Sequence, residues 1–320
     1  MLCLRASALR GGIPCSIPSS IDEEMDTDLR GSSNYHFPVY FDDGKTWICR
    51  IRRQHVLAPT LAMQKLNILI EGEVAALRFL SGIGIPVPHV HDFSLHLSDD
   101  PVGIGYILLD MLEGRLGPLQ WSNVDETSKK THFPSQLAGI CVKLSQYPFR
   151  STGCFHSTKA EVDALGTLNS IQIADLHADG SLSLIVPFDT TEAYLRALFN
   201  RHLELILGGK AYETAGADAY LFHLHLLNNI PAIVNHLKGD HTEFYLCHID
   251  DWGDHILVDD DYNITGINIT DWEWAQTVPW SIAFAARFFL PERTKYIFGD
   301  NALYEDELLF ANAFEAKGEL

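Results

Sequence analysis

The residues best suited to chemistry lie in FYLCHIDDWGDHILVDDDYNITGINITDWEWA, residues 244–275. An apolar run leads into His248 and Asp250, and a later run leads into Asp271. Carboxylates held at strand ends by a rigid scaffold suit both proton abstraction and Mg²⁺ binding. The alternative is a set of turn-forming aspartates, because Asp is common in turns. That alternative accounts well for Asp259–Asp261, and less well for the two aspartates that follow strands.

The elements that position these residues begin with a hairpin. Two β-rich runs flank Asp42-Asp43-Gly44-Lys45, and Asp-Gly is a strong hairpin signal. On the second strand Ile48, Arg50 and Arg52 share one face. The other face carries Trp47, Cys49 and Ile51. Apolar residues at helical spacing then predict a helix over residues 61–80, ended by Gly82 and a Pro-rich segment.

The rest of the chain is predicted to be mostly helical after a connector near residue 113. The pattern therefore favours an α+β fold, with a small sheet and one long helix followed by a larger helical part. Pro231 is expected to kink or split one helix. Strands are expected over residues 90–93, 105–111, 244–247, 255–258 and 264–270, and helices over residues 133–146, 191–207, 217–238 and 304–317.

Composition narrows the class of protein. The 320 residues carry a formal net charge of −19, which argues against a nucleic-acid partner. An acidic surface fits a cationic small-molecule acceptor, but it more often serves only solubility. No apolar run reaches the roughly 20 residues that a membrane span needs. Six scattered cysteines without a C-x-x-C pair predict reduced thiols in a cytoplasmic protein.

Two histidine pairs invite a metal hypothesis that their spacing does not favour. His223 and His225 are two residues apart on a predicted helix and would not share a face. His89 and His91 flank Val90 beside a Pro-rich turn, and no third ligand is evident for zinc.

The polar stretches resemble the catalytic motifs of the aminoglycoside phosphotransferase family. That family carries H-G-D-x-x-x-x-N-[IVL]-L and, a strand pair later, I-D-W-E. Here HIDDWGDHIL and TDWE occur in that order, and GSSNYH, the DDG hairpin and ITGI–DWEWA are similar to the fungal subgroup. The resemblance runs from about residue 7 to the C-terminus. It implies a bilobal protein-kinase-like fold, with a small antiparallel sheet and one long helix in the N-lobe and a mainly helical C-lobe.

The resemblance implies roles for the residues around the catalytic loop. Asp250 matches the catalytic Asp, which accepts or orients the proton of the attacking hydroxyl, and His248 matches the His that braces the loop. Asp271 matches the Asp that binds Mg²⁺. His255 stands where the family has an Asn that holds a second metal ion. Imidazole is a poor Mg²⁺ ligand, and Asp254 is the alternative source of an oxygen.

The resemblance also implies a nucleotide site. Arg50 matches the strand lysine that contacts the α- and β-phosphates, with Arg52 as the alternative, and Ile48 faces the same cleft. Glu73 matches the helix Glu that pairs with that cation. Residues Asp110, Met111 and Leu112 match the hinge whose backbone binds adenine. Gly31–Ser33 lies where a loop would cover the phosphates.

The implied function is transfer of the ATP γ-phosphoryl group, with Mg²⁺, to a hydroxyl of a small molecule. The expected division is an extension over residues 1–30, an N-lobe over 31–112 and a C-lobe over 113–320 that ends early for a kinase fold. Two extra residues before Asp271 keep it on its face but move it by roughly 6–7 Å. With His255 in place of Asn, this leaves open a pseudokinase that binds a nucleotide or partner without turnover.

Overall fold

The structure is a computed structural model that describes residues 1–18, 34–52, 63–96, 102–117, 127–155, 165–166, 187–248, 256–267, 275–284 and 305–318. Its strands are β1 (Cys15–Ser16), β2 (Asn34–Phe41), β3 (Thr46–Arg52), β4 (Val90–Ser94), β5 (Tyr106–Asp110), β6 (Arg115–Leu116), β7 (Cys154–Phe155), β8 (Leu165–Gly166), β9 (Phe244–His248), β10 (Ile256–Val258), β11 (Ile264–Ile267) and β12 (Ala275–Pro279). Its helices are α1 (Leu2–Leu9), α2 (Met63–Gly82), α3 (Thr127–Ser145), α4 (Thr191–Leu207), α5 (Gly216–Asn228), α6 (Ile230–His236), α7 (Trp280–Ala283) and α8 (Glu305–Gly318).

Strands β2 and β3 form the hairpin that the Asp-Asp-Gly-Lys sequence predicts. Gly44 has a φ of +84°, a left-handed conformation that glycine adopts at no steric cost. Its N–H donates to the carbonyl oxygen of Phe41 at 2.9 Å, and the Lys45 N–H donates to the Asp43 carboxylate at 3.2 Å. The hairpin is the centre of an antiparallel five-stranded sheet in the order β1-β2-β3-β5-β4.

The two faces of this sheet have different neighbours, as the strand alternation predicts. Trp47 and Cys49 of β3 and Leu108 of β5 lie in a core on one face, the outer face. On the inner face, Ile107 and Leu109 of β5 pack in a second core with the apolar side of α2. The predicted long helix is therefore confirmed, and its buried side covers one face of the sheet.

The first residues of the chain cover part of the outer face, which their sequence did not indicate because it lacks steady periodicity. β1 pairs with β2, and Ala6 of α1 is fully buried in the outer core. Arg5 donates to both carboxylate oxygens of Asp92 at 2.8 and 3.1 Å. Arg10 does the same with Asp43 at 3.0 and 2.6 Å. The segment therefore belongs to the sheet.

The helical part also follows the pattern of the sequence. α3, α4 and α8 occupy three of the predicted helical stretches, and the fourth is divided into α5 and α6. The division falls at Asn229, because Pro231 in the first turn of α6 has no N–H to continue the α5 ladder. His223 is buried and His225 is exposed, so the two imidazoles do not share a helix face.

The connector that leaves β5 is fastened to the strand pair β10–β11. β6 pairs with β10, and the Thr265 hydroxyl donates to the carbonyl oxygen of Glu113 at 2.7 Å. Gly114 has a φ of +130°, and a Cβ there would lie 2.4 Å from the Thr265 Oγ1 and 3.0 Å from the carbonyl oxygen of Val258. Only glycine fits this close approach.

The fold is α+β, as the sequence predicts. Within the ranges that the structure describes, none of the helices combines the length and the apolar character needed to cross a lipid bilayer.

Replacing Gly114 by Ala should destabilise the protein by about 2–4 kcal/mol, because the new methyl group meets β10–β11 in a backbone conformation that L-residues avoid. The measurement is the free energy of unfolding in denaturant. Gly82→Ala is the matched control, because a Cβ at Gly82 meets nothing within 4 Å and alanine favours the helix. Equal stability of the two variants would contradict this packing of the connector.

Candidate active site

Arg50 and Glu73 form a buried ion pair between the sheet and α2. An Nη1–H of Arg50 donates to the Oε1 of Glu73, and only 2% of Arg50 and 4% of Glu73 is exposed. Arg50 pairs across the ladder with Ile107, which places it on the inner face, and the half-buried Ile48 lies two residues before it. The contact predicted between Arg50 and Glu73 is present, and its role toward a nucleotide stays a prediction.

The guanidinium groups beside this pair, and the space around them, determine what the site can hold. A cavity of about 10 Å³ beside it is lined by Arg50, Arg52, Glu73 and Asn34, with apolar atoms from α2 and β5. Guanidinium groups offer several N–H donors in a fixed fork, which fits phosphate oxygens. The volume suits about one water molecule, so a bound phosphate group would lie outside this cavity.

The first of the predicted hinge residues, Asp110, lies on the face of the sheet opposite Arg50. Asp110 pairs with Trp47 in the ladder, and its carboxylate lies 2.6 Å from the Nε2 of His91, whose ring stacks on Trp47 at 3.8 Å. Its side chain therefore lies on the outer face, away from Arg50. The Asp110 N–H donates to the carbonyl oxygen of His89 at 3.1 Å. A nucleotide's adenine ring could therefore not bond to the Asp110 N–H, and would have to use the backbone groups of Met111 or Leu112.

The carboxyl group of Asp110 is affected by its histidine neighbours. The hydrogen bond from His91 lowers the pKa of Asp110, and the charges of His91 and His89 act in the same direction, while burial opposes them. Because this group lies on the outer face, its ionisation stabilises the sheet on the side opposite Arg50.

The Leu112 side chain packs against β11 at Gly266, next to Leu257 of β10. Its Cδ1 would lie 2.6 Å from a Cβ at Gly266, and the Leu257 Cδ1 would lie 3.5 Å from the same position. Glycine at 266 thus allows the hinge to approach β11 closely. Met111 is 52% exposed. The hinge is held against the strands that lead to the metal-binding candidate.

The strand that leads to the catalytic-loop candidates is fixed at its end. His248 is the last residue of β9, is buried and pairs with Ala275 of β12. Asp250, Asp254 and His255 lie outside the described residues, as do Asp271 and the phosphate-loop candidate Gly31–Ser33. Among the residues that are described, no three His, Cys, Asp or Glu side chains form a group suited to a metal ion.

Helix α3 supports the β10–β11 turn, a contact that the sequence did not predict. The amide of Gln136 donates to the carbonyl oxygen of Tyr262 at 3.0 Å and accepts from the N–H of Ile264 at 3.0 Å. His132 lies 2.9 Å from the side chain of Asn263. No local pattern marks a helix glutamine as the partner of a backbone more than a hundred residues away.

Comparison with known proteins bears on the fold. No protein-family model and no curated protein matches the chain. A candidate fructosamine-3-kinase from Thermobifida fusca has a TM-score of 0.55 at 13% identity, over 100% of this chain and 84% of that one. A candidate aminoglycoside phosphotransferase from Ralstonia eutropha has 0.54 at 13%, over 98% and 80%. APH(2″)-IIa in complex with gentamicin has 0.51 at 12%, over 99% and 81%.

The chain shares the fold of these kinase-like proteins. The similarity covers nearly all of it, as the resemblance in the sequence predicts. At 12–13% identity the comparison establishes the fold and leaves the activity to be argued from the residues.

Replacing Glu73 by Ala should destabilise the protein by about 3–5 kcal/mol, because it removes the buried carboxylate that accepts from the Arg50 guanidinium group. The double variant Arg50→Met, Glu73→Leu should recover most of this loss, because it removes both charges and keeps similar volume. The measurement is the free energy of unfolding in denaturant.

Glu71→Ala, a partly exposed glutamate in the same helix, is the control and should change stability by less than about 1 kcal/mol. A Glu73→Ala variant as stable as this control would show that the ion pair is not an important contact.

The Asp110 carboxyl group should contribute a pH-dependent part of the stability. Because its pKa is lowered in the folded protein, its contribution is present above the ordinary value of about 3.9 and is lost as the pH falls through the folded value. Asp110→Asn should therefore be less stable than wild type at neutral pH, with a difference that shrinks below about pH 4. Denaturant unfolding across pH tests this, and a constant difference would contradict it. Asp261→Asn, in an exposed turn, is the control.

Proposed function

We propose that this protein is an ATP-dependent phosphotransferase that transfers a phosphoryl group to a hydroxyl of a small molecule. The observation that carries the proposal is the buried Arg50–Glu73 pair between β3 and α2. In kinase folds, a basic side chain of the sheet contacts the nucleotide phosphates, and a glutamate of the neighbouring helix holds that side chain in position. Arg50 and Glu73 have this arrangement. The shared fold with small-molecule kinases supports the same proposal.

The proposed organisation is bilobal. The five-stranded sheet with α2 would form the nucleotide-binding lobe, and the helical part from residue 113 would form the other. Residues 1–18 add α1 and β1 to the sheet, so we assign them to the first lobe, and not to a separate extension as the sequence alone suggested.

The nucleotide would be held by residues of the sheet and hinge. Arg50 would contact the phosphates, with Glu73 holding its guanidinium in position and Arg52 adding charge on the same face. The backbone of Met111 and Leu112 would contact the base, because the Asp110 N–H is already bonded to His89. Bound ATP would supply the phosphoryl group and its Mg²⁺ would offset negative charge.

Asp250 would accept or orient the proton of the acceptor hydroxyl. His248, buried at the end of β9, would brace the loop that carries it. Asp271 would provide the carboxylate for Mg²⁺, and Asp254 would be a better second ligand than His255, because Mg²⁺ prefers oxygen.

The proposed acceptor is a cationic small molecule, such as an amine-bearing sugar. The net charge of −19 attracts cations, and one protein of the same fold binds gentamicin. Assignment to the fungal subgroup of the aminoglycoside phosphotransferases depends on the sequence motifs alone. The six cysteines are free thiols, which suits the cytoplasm.

A pseudokinase is the second candidate. Its specific support is His255 at the position of the metal-binding Asn, together with the two extra residues before Asp271 and the single glycine in Gly31–Ser33. Such a protein would bind nucleotide without transferring its phosphoryl group.

Asp250→Ala should lower kcat by about 10²–10⁴-fold, because it removes the group that positions the hydroxyl proton. The measurement is ADP release with Mg²⁺ or Mn²⁺ and a panel of acceptors that includes gentamicin and fructosamines. Asp260→Ala, in an exposed turn of the same part of the chain, is the control and should keep wild-type turnover.

Turnover that is unaffected by Asp250→Ala would contradict the assignment of the catalytic residue. Nucleotide binding without turnover on any acceptor would favour the pseudokinase. Absence of nucleotide binding would contradict both functions.

A further inference from the structure

Two cysteines meet where α1 packs beside β1. The Sγ–H of Cys15 in β1 donates to the carbonyl oxygen of Cys3 in α1 at 3.2 Å. Both residues are half-buried free cysteines, whereas the other four cysteines of the chain are buried. The accessible thiols of the protein are therefore neighbours.

The two elements that carry these thiols are fixed on the same sheet. β1 is hydrogen-bonded to β2. The bidentate ion pairs of Arg5, in the middle of α1, with Asp92 and of Arg10, directly after α1, with Asp43 hold the helix on the sheet. The contact of the Cys15 thiol with Cys3 is thus a consequence of how α1 and β1 pack.

We propose that Cys3 and Cys15 are a reversible modification site, at which a disulfide forms between α1 and β1. The oxidant is a low-molecular-weight disulfide such as glutathione disulfide. One cysteine thiolate attacks its sulfur and releases a glutathione thiolate, which takes up a proton. The second cysteine thiolate then attacks the mixed disulfide and releases the second glutathione. Two protein thiols are oxidised and one glutathione disulfide is reduced.

The surroundings favour pairing of these two cysteines over pairing with Cys49. Cys49 lies in the outer core with none of its surface exposed, and burial raises its pKa to about 12, so it stays a thiol. Burial, followed by the charge of Cys3, raises the pKa of Cys15 above its ordinary value. Because the thiolate is the nucleophile, disulfide formation should become faster as the pH rises.

The disulfide would fasten α1 to the outer face of the sheet, opposite the face that carries Arg50. This inference does not depend on the proposed phosphotransferase activity. It depends only on residues 1–18 and the strands on which they pack.

The experiment treats the full-length protein with glutathione redox buffers from fully reduced to fully oxidised, blocks free thiols with an alkylating reagent and maps them by mass spectrometry. The expected result is a peptide pair joined by Cys3–Cys15, about 2 Da lighter than the two thiol peptides together, that is restored to thiols by reduction. Its rate of formation should rise by up to about tenfold between pH 7 and pH 8.

Cys15→Ser should leave Cys3 as a mixed disulfide with glutathione, and Cys3→Ser should leave Cys15 in the same state. Cys141→Ala, a buried cysteine of α3, is the matched control and should retain the Cys3–Cys15 disulfide. Full alkylation of both thiols in the oxidised buffer would overturn the proposal. So would pairing of Cys3 with Cys49, or a disulfide only between two molecules.

Discussion

Arg50 and Glu73 are almost fully buried, and each would be costly to keep in this interior without the other. Their contact joins β3, at the centre of the five-stranded sheet, to the middle of α2. Apolar packing of α2 on the sheet is non-directional and could tolerate small shifts along or around the helix. The hydrogen bond between Arg50 and Glu73 cannot, because a displaced helix would draw the buried carboxylate away from the buried guanidinium group. The ion pair therefore defines where α2 lies on the sheet, which apolar packing alone would not.

A second set of contacts holds the hinge to the strands beneath it. Gly114 and Gly266 allow backbone and side chain to approach where any other residue would collide, and the Thr265 hydroxyl donates to the carbonyl oxygen of Glu113 in the connector. Gln136 supports the β10–β11 turn from α3. The described strand β11 ends at Ile267, so these contacts hold in place the strand that precedes the metal-binding candidate in the sequence.

Features with a local cause could be predicted from the sequence, and features made by distant contacts could not. The hairpin at Gly44 follows from its turn residues, and the face of Arg50 follows from strand alternation. Helix α1 has no periodic pattern in the sequence, because a single buried alanine and ion pairs to β4 and to the β2–β3 turn hold it in place. The same limit applies to Gln136, whose partners are remote in sequence. For Asp110 the sequence did not predict the His91 contact that directs its side chain to the outer face.

The most direct test of the central claim is a double-mutant cycle on nucleotide affinity, with Arg50→Met, Glu73→Leu and the double variant. The Kd of Mg²⁺-ATP for each is measured by calorimetry under conditions in which all are folded. If the glutamate acts by orienting the arginine, each single change should weaken binding by about tenfold or more, and the double change should weaken it no further, a coupling of at least about 1.4 kcal/mol. Wild-type affinity in the single variants, or no binding by the wild-type protein, would contradict the account.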